Sequence, residues 1–482
     1  MGSIYRGVWA ACLTAVACGC GDFISEDPSP RPNFVILLAD DLGYCGTELY
    51  GCDEIPTPNI RRIAENGVTF TDGYVTAGTC SPSRAGLLTG RYQQRFGFEF
   101  NTGPARVTFE ERRGLPKGER TIADILDGVG YATGMVGKWH QGNTEGFHPT
   151  ERGFNEFFGF LPGARAYFDK STDSGGAISR RVASDHPQAR LQNIERISDL
   201  NALYRGRERV SEQEYLTDAF AREAISFIER HKDDSFFLYV AFNAPHTPIE
   251  ATEEYVERFS HIADSHRRIY AAMVSSLDDA VGRILDKLEH AGLAEDTVVF
   301  FLSDNGCAVY TEACTNDPLR LGKLFLFEGG TRVPFAMQYP RLVGGGRIYR
   351  HPVSSLDILP TFAALGGGPL PADPEMDGSN LMPFLLGEES PPHEALFWRN
   401  GENKAVRQGN WKLFWNQRHI WLFDLSEDIG EVTNMAGEHP EKVEELQGLH
   451  RDWETGTEDP AWPARQAPGP VEVDGILVDI NI

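Results

Sequence analysis

Residues 33–41 read NFVILLADD. Phe34 to Ala39 is an unbroken apolar run, too short for a free-standing helix, and it stops at two aspartates. Such a run predicts a strand covered on both faces, the kind found in parallel sheets. The same form returns in TVVFFLSDN (297–305) and in SFFLYVAFNAPH (235–246), whose strand is expected to end near Asn243. Helical stripes lie between these strands. Leu216, Ala219, Phe220, Ala224, Phe227 and Ile228 share one face, as do Met273, Leu277, Val281, Ile284, Leu285 and Leu288. Strands alternating with helices predict an α/β fold: a large mixed, mostly parallel sheet flanked by helices. In open sheets of this kind ligands gather at the carboxyl ends of the strands, where the polar residues of all three stretches fall.

The rest of the chain is organised around that sheet. Residues 165–209 are polar and without period, and read as a long irregular insert. A boundary is expected near GEESPPHE (387–394). Beyond it apolar and polar residues alternate, with turns at Asn400-Gly401 and Gly409-Asn410, and residues 438–454 form an amphipathic helical pattern. This predicts a smaller C-terminal α+β subdomain with an antiparallel sheet. The expected division is 1–20 export signal, 21–32 linker, 33–388 catalytic domain and 389–482 subdomain. The signal reading rests on Arg6, the apolar run GVWAACLTAVACGC and the Pro-rich segment after it. Periplasmic or secreted location is expected, with lipid anchoring at Cys18 or Cys20 as the alternative.

The chain has 70 acidic and 45 basic residues, a net charge of −25. That argues against nucleic acid as a partner and requires any anion site to be a local basic pocket. Outside the signal region the cysteines are Cys45, Cys52, Cys80, Cys307 and Cys314. Cys45 with Cys52 and Cys307 with Cys314 are two candidate short-loop disulfides, which would leave Cys80 as the odd thiol.

Asp40 and Asp41 follow the first strand, and Asp304 and Asn305 follow the later one. Four oxygen ligands at two strand ends favour Ca²⁺, or less readily Mg²⁺, over helix capping. In TCSPSRAGLLTGRY (79–92), Pro82 suits a first helical position, placing Cys80 at a helix N-terminus with Arg84 a turn along. Taken alone, a buried structural thiol and a surface arginine are the commoner explanation of that segment. MVGKWHQG offers Lys138 and His140 on one face of a strand, APHTPI offers His246, and RLGKLFLFEGGTRVPF offers Lys323. Each singly is more often a surface charge or a structural histidine than a catalytic group.

Together these clusters resemble the type I sulfatases of the alkaline phosphatase superfamily. CSPSRAGLLTGRY is similar to that family's signature. The resemblance runs from NFVILLADDLGYCGTELYG through PTPNIRRIAENGVTFTDGYV, VGKWHQG, APHTPI, FLSDNG and EGGTRVPF to WKLFW and LFDLSEDIGEVTNMA. It implies that a formylglycine-generating enzyme oxidises Cys80 to formylglycine, whose hydrate attacks the sulfur of a sulfate ester. It further implies that Asp40, Asp41, Asp304, Asn305 and modified Cys80 bind Ca²⁺ and that Arg84 steadies the nucleophile. Lys138 and Lys323 would hold sulfate oxygens, His140 would take a proton from the second hydroxyl, and His246 would serve the leaving oxygen. Asn305 stands where two-zinc phosphatases of the superfamily have a histidine. One departure is LPGARAYF, where a histidine is expected near Arg165. The expected substrate is a sulfated carbohydrate, with Trp398, Arg399 and Arg407 as candidate sugar contacts. The alternatives are a formylglycine-dependent phosphonate or phosphodiester hydrolase and, with Cys80 unmodified, a non-catalytic glycan binder.

Overall fold

Hydrophobic runs with no polar alternation must be covered on both sides, and the chain meets that demand with a three-layer arrangement. The computed structural model describes residues 31–169, 181–185, 201–372, 376–465 and 471–482. The expected export signal and the linker up to residue 30 lie outside them. Ten strands form the main sheet: β1 (Asn33–Ala39), β2 (Gly67–Phe70), β3 (Ala132–Lys138), β4 (Glu156–Phe160), β5 (Leu203–Arg205), β6 (Glu208–Val210), β7 (Phe236–Ala241), β8 (Thr297–Ser303), β9 (Phe335–Gln338) and β10 (Arg347–Tyr349). Their spatial order is β10-β2-β9-β8-β1-β7-β3-β4-β5-β6. The central strands β8, β1, β7, β3 and β4 run parallel. Antiparallel pairs lie toward both edges, as in β8 with β9 and β4 with β5. The mixed, mostly parallel sheet is therefore present as expected.

The period of two along each strand divides the core. Val35, Leu37, Leu238, Val240, Val299 and Phe301 face one side. There they pack with the stripes of two helices, named here with the others used below: α1 (Cys80–Thr89), α2 (Leu216–Arg230), α3 (Ser265–His290), α4 (Ile358–Gly366) and α5 (Pro440–Glu454). Helices α2 and α3 cover that face. Phe34, Ile36, Leu38, Phe237, Val298 and Phe300 face the other side, against α4 and the Ile122–Asp127 helix. Burial of each such side chain stabilises the fold by about 1.5–3 kcal/mol. Among the described residues no helix is long and apolar enough to cross a membrane.

The 165–209 insert is less irregular than its composition predicts. Its described parts include Arg181–Ala183, paired with Glu250–Thr252, and the edge strands β5 and β6. Residues 170–180 and 186–200 lie outside the described residues.

Beyond residue 395 four antiparallel strands follow in order, Leu396–Asn400, Asn403–Gln408, Trp411–Trp415 and Ile420–Asp424, with α5 against them. A buried charge network ties this sheet to the 328–331 turn. Lys412 Nζ donates to Glu328 Oε1 at 2.7 Å and lies 3.4 Å from Glu431 Oε1. Glu431 Oε2 accepts the Glu328 N–H at 2.6 Å, and Tyr74 donates to Glu328 Oε2 at 2.6 Å.

Contacts around this network take up all three candidate sugar contacts. Arg407 is buried against Asp72 at 2.6 Å and Tyr74, and Trp398 packs at a tilt against Tyr74 while its indole N–H donates to Val75 O at 2.7 Å. Arg399 is committed to Glu99 at 2.7 Å and to Thr457. All three hold the C-terminal sheet in place. Their alternating sequence pattern looked the same as that of a binding surface.

Candidate active site

Three strand ends converge because backbone bonds continue past them. Asp40 N–H donates to Ala244 O at 3.1 Å and Asp304 N–H to Ala39 O at 3.1 Å, so the loops after β1, β7 and β8 are tied together. Ser303 reinforces this, accepting Leu42 N–H at 2.9 Å and donating to Asn305 O at 2.8 Å. Asp41 takes a left-handed φ of +64°, which aspartate tolerates better than most residues. Its N–H donates to Asp304 Oδ1 at 3.2 Å.

Helix α1 starts at Cys80, two residues before the expected position, with Pro82 inside the first turn. Proline is accepted there because first-turn N–H groups have no intrahelical partner. The orphan N–H of Ser81 is met by Asn101 Oδ1 at 3.0 Å. The Cys80 thiol is buried, 3.5 Å from Asp40 Oδ1 and 3.7 Å from Asp41 Oδ1. Both expected disulfides, Cys45–Cys52 and Cys307–Cys314, form, leaving Cys80 free.

Three cations face three carboxylates. Arg84, fully buried, donates from Nε to Asp304 Oδ2 at 2.8 Å and from Nη1 to Lys138 O at 2.9 Å. Its Nη2 lies 2.8 Å from Asp304 Oδ2 and 3.6 Å from Asp40 Oδ1, without an aligned acceptor. Lys138 Nζ donates to Asp40 Oδ2 at 2.6 Å and Lys323 Nζ to Asp41 Oδ2 at 2.7 Å. Asn305 Nδ2 donates to Asp41 Oδ1 at 2.7 Å, while its buried Oδ1 has no partner.

The histidines arrive differently. Strand β3 ends at Lys138, so His140 does not share a strand face with it; the chain turns, with His140 at φ +57°. Ser81 Oγ donates to His140 O at 2.6 Å, and Gly163 leaves the space beside the imidazole, since a Cβ there would lie 2.6 Å from Nε2. His246 directs Nδ1 at Thr247 O, 2.7 Å away, and sets Nε2 3.6 Å from Asp41 Oδ2. Tyr167 donates to Asn243 O and to His246 O, pinning this loop from the far side.

The electrostatics follow from burial and this charge pattern. Burial opposes ionisation of Asp41, but Lys323, His246 and Lys138 overcome it and hold the carboxyl far below its usual range. Asp304 rises to about 6 because burial and neighbouring Asp40 outweigh Arg84. Burial pushes the Cys80 thiol well up, against Lys138 and Lys323. Burial and then Lys323 lower His246 to about 3, and burial with Lys138 and Arg84 lowers His140 well below its ordinary value. Both imidazoles are therefore neutral near pH 7.

Whether a hard cation fits is decided by the donors. One ligand atom each from Asp40, Asp41, Cys80 and His246 lie within 4.8 Å of one another. Asp304 and Asn305 are not in that group but adjoin it through Asp41, whose N–H donates to Asp304 Oδ1 and whose Oδ1 accepts Asn305 Nδ2. Carboxylate and amide oxygens in excess are the donor set of Ca²⁺.

Residues 32–368 match the family described as Sulfatase, and residues 320–453 match the C-terminal part of N-sulphoglucosamine sulphohydrolase. The chain belongs to the sulfatase family. It is a sulfuric ester hydrolase. It is 32% identical to N-acetylgalactosamine-6-sulfatase of Sus scrofa, over 92% of this chain and 84% of that protein. It is 34% identical to Homo sapiens arylsulfatase A, over 87% of each. The solved structure of Ps i-CgsB with k-i-k-neocarrahexaose superposes with a TM-score of 0.80 at 33% identity, over 90% of this chain and 94% of that one.

The ten residues expected to serve catalysis or metal binding fall in this sulfatase's one cluster, and the three candidate sugar contacts do not. The supports Asn101, Tyr167, Gly163 and Ser303 carried no sequence signal, because their role is set by tertiary contacts. Arg165, beside the missing histidine, donates to Asn201 O at 3.2 Å and pairs with Asp169.

Proposed function

We propose that this sulfatase hydrolyses sulfate esters of carbohydrates, with Cys80 matured to formylglycine and one Ca²⁺ held by Asp40, Asp41, Asp304, Asn305 and residue 80. The observation that carries the reading is the free, buried side chain of residue 80 set 3.5 Å and 3.7 Å from two aspartates, at the head of α1. Formylglycine as its hydrate would supply a hydroxyl nucleophile, and the cation would offset charge on that hydroxyl and on sulfate.

The chain's own residues have the following parts. Arg84 Nη2, lacking an aligned acceptor, is available to orient the oxygen on residue 80. Lys138 and Lys323 each spend one donor on an aspartate, which leaves two N–H groups per ammonium for sulfate oxygens. Neutral His140, with Nδ1 unpartnered, accepts the proton of the second hydroxyl. His246 keeps Nδ1–H on Thr247 O and turns Nε2 to the leaving oxygen, to which it gives a proton only from the imidazolium, a form that the negative charge of a bound sulfate ester favours. Carbohydrate as the substrate class is supported by relatives named for N-acetylgalactosamine 6-sulfate and by the neocarrahexaose complex. Export to an oxidising compartment, with or without a lipid anchor, is supported by the two disulfides.

The test is sulfate release from a panel of sulfated oligosaccharides by enzyme from a host with a formylglycine-generating enzyme, beside mass spectrometry of the residue 80 peptide. A peptide about 18 Da light with sulfate release supports the reading. An intact thiol in active enzyme sinks the formylglycine assignment. Phosphodiesters turned over orders of magnitude faster than sulfates of the same leaving group would overturn the substrate class.

A further inference from the structure

The loop that leaves β4 meets both histidines of the centre. Leu161 O accepts the His140 N–H at 3.0 Å, and Gly163 leaves room for the His140 imidazole. Farther along, buried Tyr167 reaches the turn that carries His246. That turn closes on itself, with His246 N–H donating to Asn243 O at 2.9 Å. The Tyr167 hydroxyl donates to the same Asn243 O and, at 2.8 Å, to His246 O, so one O–H spans both carbonyls of the turn. Tyr167 is fixed in its own right. Its N–H donates to the fully buried Glu250 at 2.7 Å, its O accepts Leu216 N–H at 3.0 Å, and its ring stacks on Tyr215 with centroids 5.4 Å apart. The other oxygen of Glu250 takes Arg181 Nε at 2.5 Å.

The His246 imidazole depends on this frame. Its own hydrogen bond, Nδ1 with Thr247 O at 2.7 Å, goes to the next residue of the same loop. That bond fixes the ring relative to the loop, and leaves the loop's place in the centre to whatever holds its backbone. Two contacts do so: Asp40 N–H on Ala244 O at 3.1 Å from the side of β1, and the Tyr167 hydroxyl from the opposite side.

We infer that Tyr167 is a positioning residue for departure of the alcohol: its hydroxyl holds the Asn243–His246 turn where His246 Nε2 meets the leaving oxygen, and Glu250 holds Tyr167. This rests on the role given to His246 above. A proton donor displaced by about 1 Å loses roughly a hundred-fold where its proton is needed, and little where the leaving group departs without one. Loss of the hydroxyl should therefore be felt through His246 and on poor leaving groups.

The experiment compares matured wild type, Tyr167→Phe, His246→Ala, the double variant and Tyr215→Phe. Each is measured on the best sulfated oligosaccharide of the panel and on para-nitrophenyl sulfate, whose leaving group is activated. Tyr167→Phe keeps the stacked ring and should melt within about 2 °C of wild type. Its kcat on the oligosaccharide should fall about 10- to 100-fold, and on para-nitrophenyl sulfate by no more than about three-fold. In the His246→Ala background the same change should cost nothing further, because the residue through which it acts is gone. Tyr215→Phe removes a neighbouring buried hydroxyl, which donates to Glu250 O at 3.0 Å without touching the His246 turn, and should keep the wild-type ratio of the two rates. Equal losses on the two substrates in Tyr167→Phe overturn this inference alone, as does a loss that persists undiminished in the His246→Ala background. A Tyr215→Phe variant with the same selective loss overturns it too, because the effect is then general loosening. His246→Ala with equal losses on both substrates, or a wild type silent toward every sulfated carbohydrate, overturns the functional reading first, and this inference with it.

Discussion

Asp304 makes the sharpest test of the site because two arguments about it give different answers. Read from the sequence, it is a metal ligand after a core strand, so Asp304→Ala should abolish activity with little loss of fold. The geometry changes the second half. Asp304 Oδ2 takes the Nε donor of Arg84 at 2.8 Å and sits 2.8 Å from Nη2, and Arg84 has no exposure to water. Removing one partner of a buried pair costs about 3–5 kcal/mol. Arg84 keeps Lys138 O at 2.9 Å and Asp40 at 3.6 Å, which points to the lower end, about 3 kcal/mol. At about 2.1 cal/mol/K per residue, 482 residues unfold with an entropy near 1 kcal/mol/K. Asp304→Ala should then lower the melting temperature by about 3 °C, while Asp304→Asn, which keeps an acceptor for Arg84, should lower it by about 1 °C. Both should lose about a thousand-fold in kcat/KM, as expected where several kcal/mol of charge stabilisation vanish. Differential scanning calorimetry and sulfate release are the assays. Equal melting temperatures for the two variants would refute the pairing argument, and near-normal turnover in Asp304→Ala would refute the metal assignment.

Three other expectations follow from the same structure. Chelation followed by graded Ca²⁺ should restore activity and raise the melting temperature by about 3 °C at a hundred times Kd; no response to Ca²⁺ in either readout would exclude the ion. His246→Ala should cost more on sulfates of poorly departing alcohols than on activated aryl sulfates; equal losses would remove its role at the leaving oxygen. Burial and Glu328 raise Glu431 to about 7 against Lys412, so the stability this group contributes is full below the ordinary glutamate value and is lost as pH rises through 7. Glu431→Gln should therefore match wild type near pH 5 and exceed it in melting temperature near pH 8, a pattern that parallel pH profiles would contradict.

Much of this was legible in the chain because the relevant signals are local. Apolar runs ending in Asp40-Asp41 and Asp304-Asn305 marked two parallel strands and the end of the sheet where the acidic cluster gathers. Cysteine arithmetic left Cys80 unpaired, and the structure leaves it free. What was not legible depends on how distant segments meet. A two-residue spacing suggested a shared strand face for Lys138 and His140, but the strand ends at Lys138 and a left-handed residue brings His140 in. Trp398 and Arg407 have the composition of a sugar site, and only the positions of Tyr74, Asp72 and Val75 assign them to packing.

The charge of the site also reads differently once its partners are known. A net charge of −25 seemed to require a basic pocket for an anion. The pocket is not basic by count: Arg84, Lys138 and Lys323 are each paired with Asp304, Asp40 and Asp41, and both histidines are neutral near pH 7. Six buried charges that cancel exert little net pull on sulfate. A divalent cation among the carboxylates would break that balance by two positive charges and would free the lysine donors in part from their aspartates. Those two charges would match one on the sulfate ester and one developing on the nucleophile. The proposed ion would then be what makes an acidic protein's pocket attractive to an anion. The affinity of the Asp40, Asp41 and Asp304 cluster for inorganic sulfate should therefore depend on Ca²⁺, and equal sulfate binding with and without the ion would refute it.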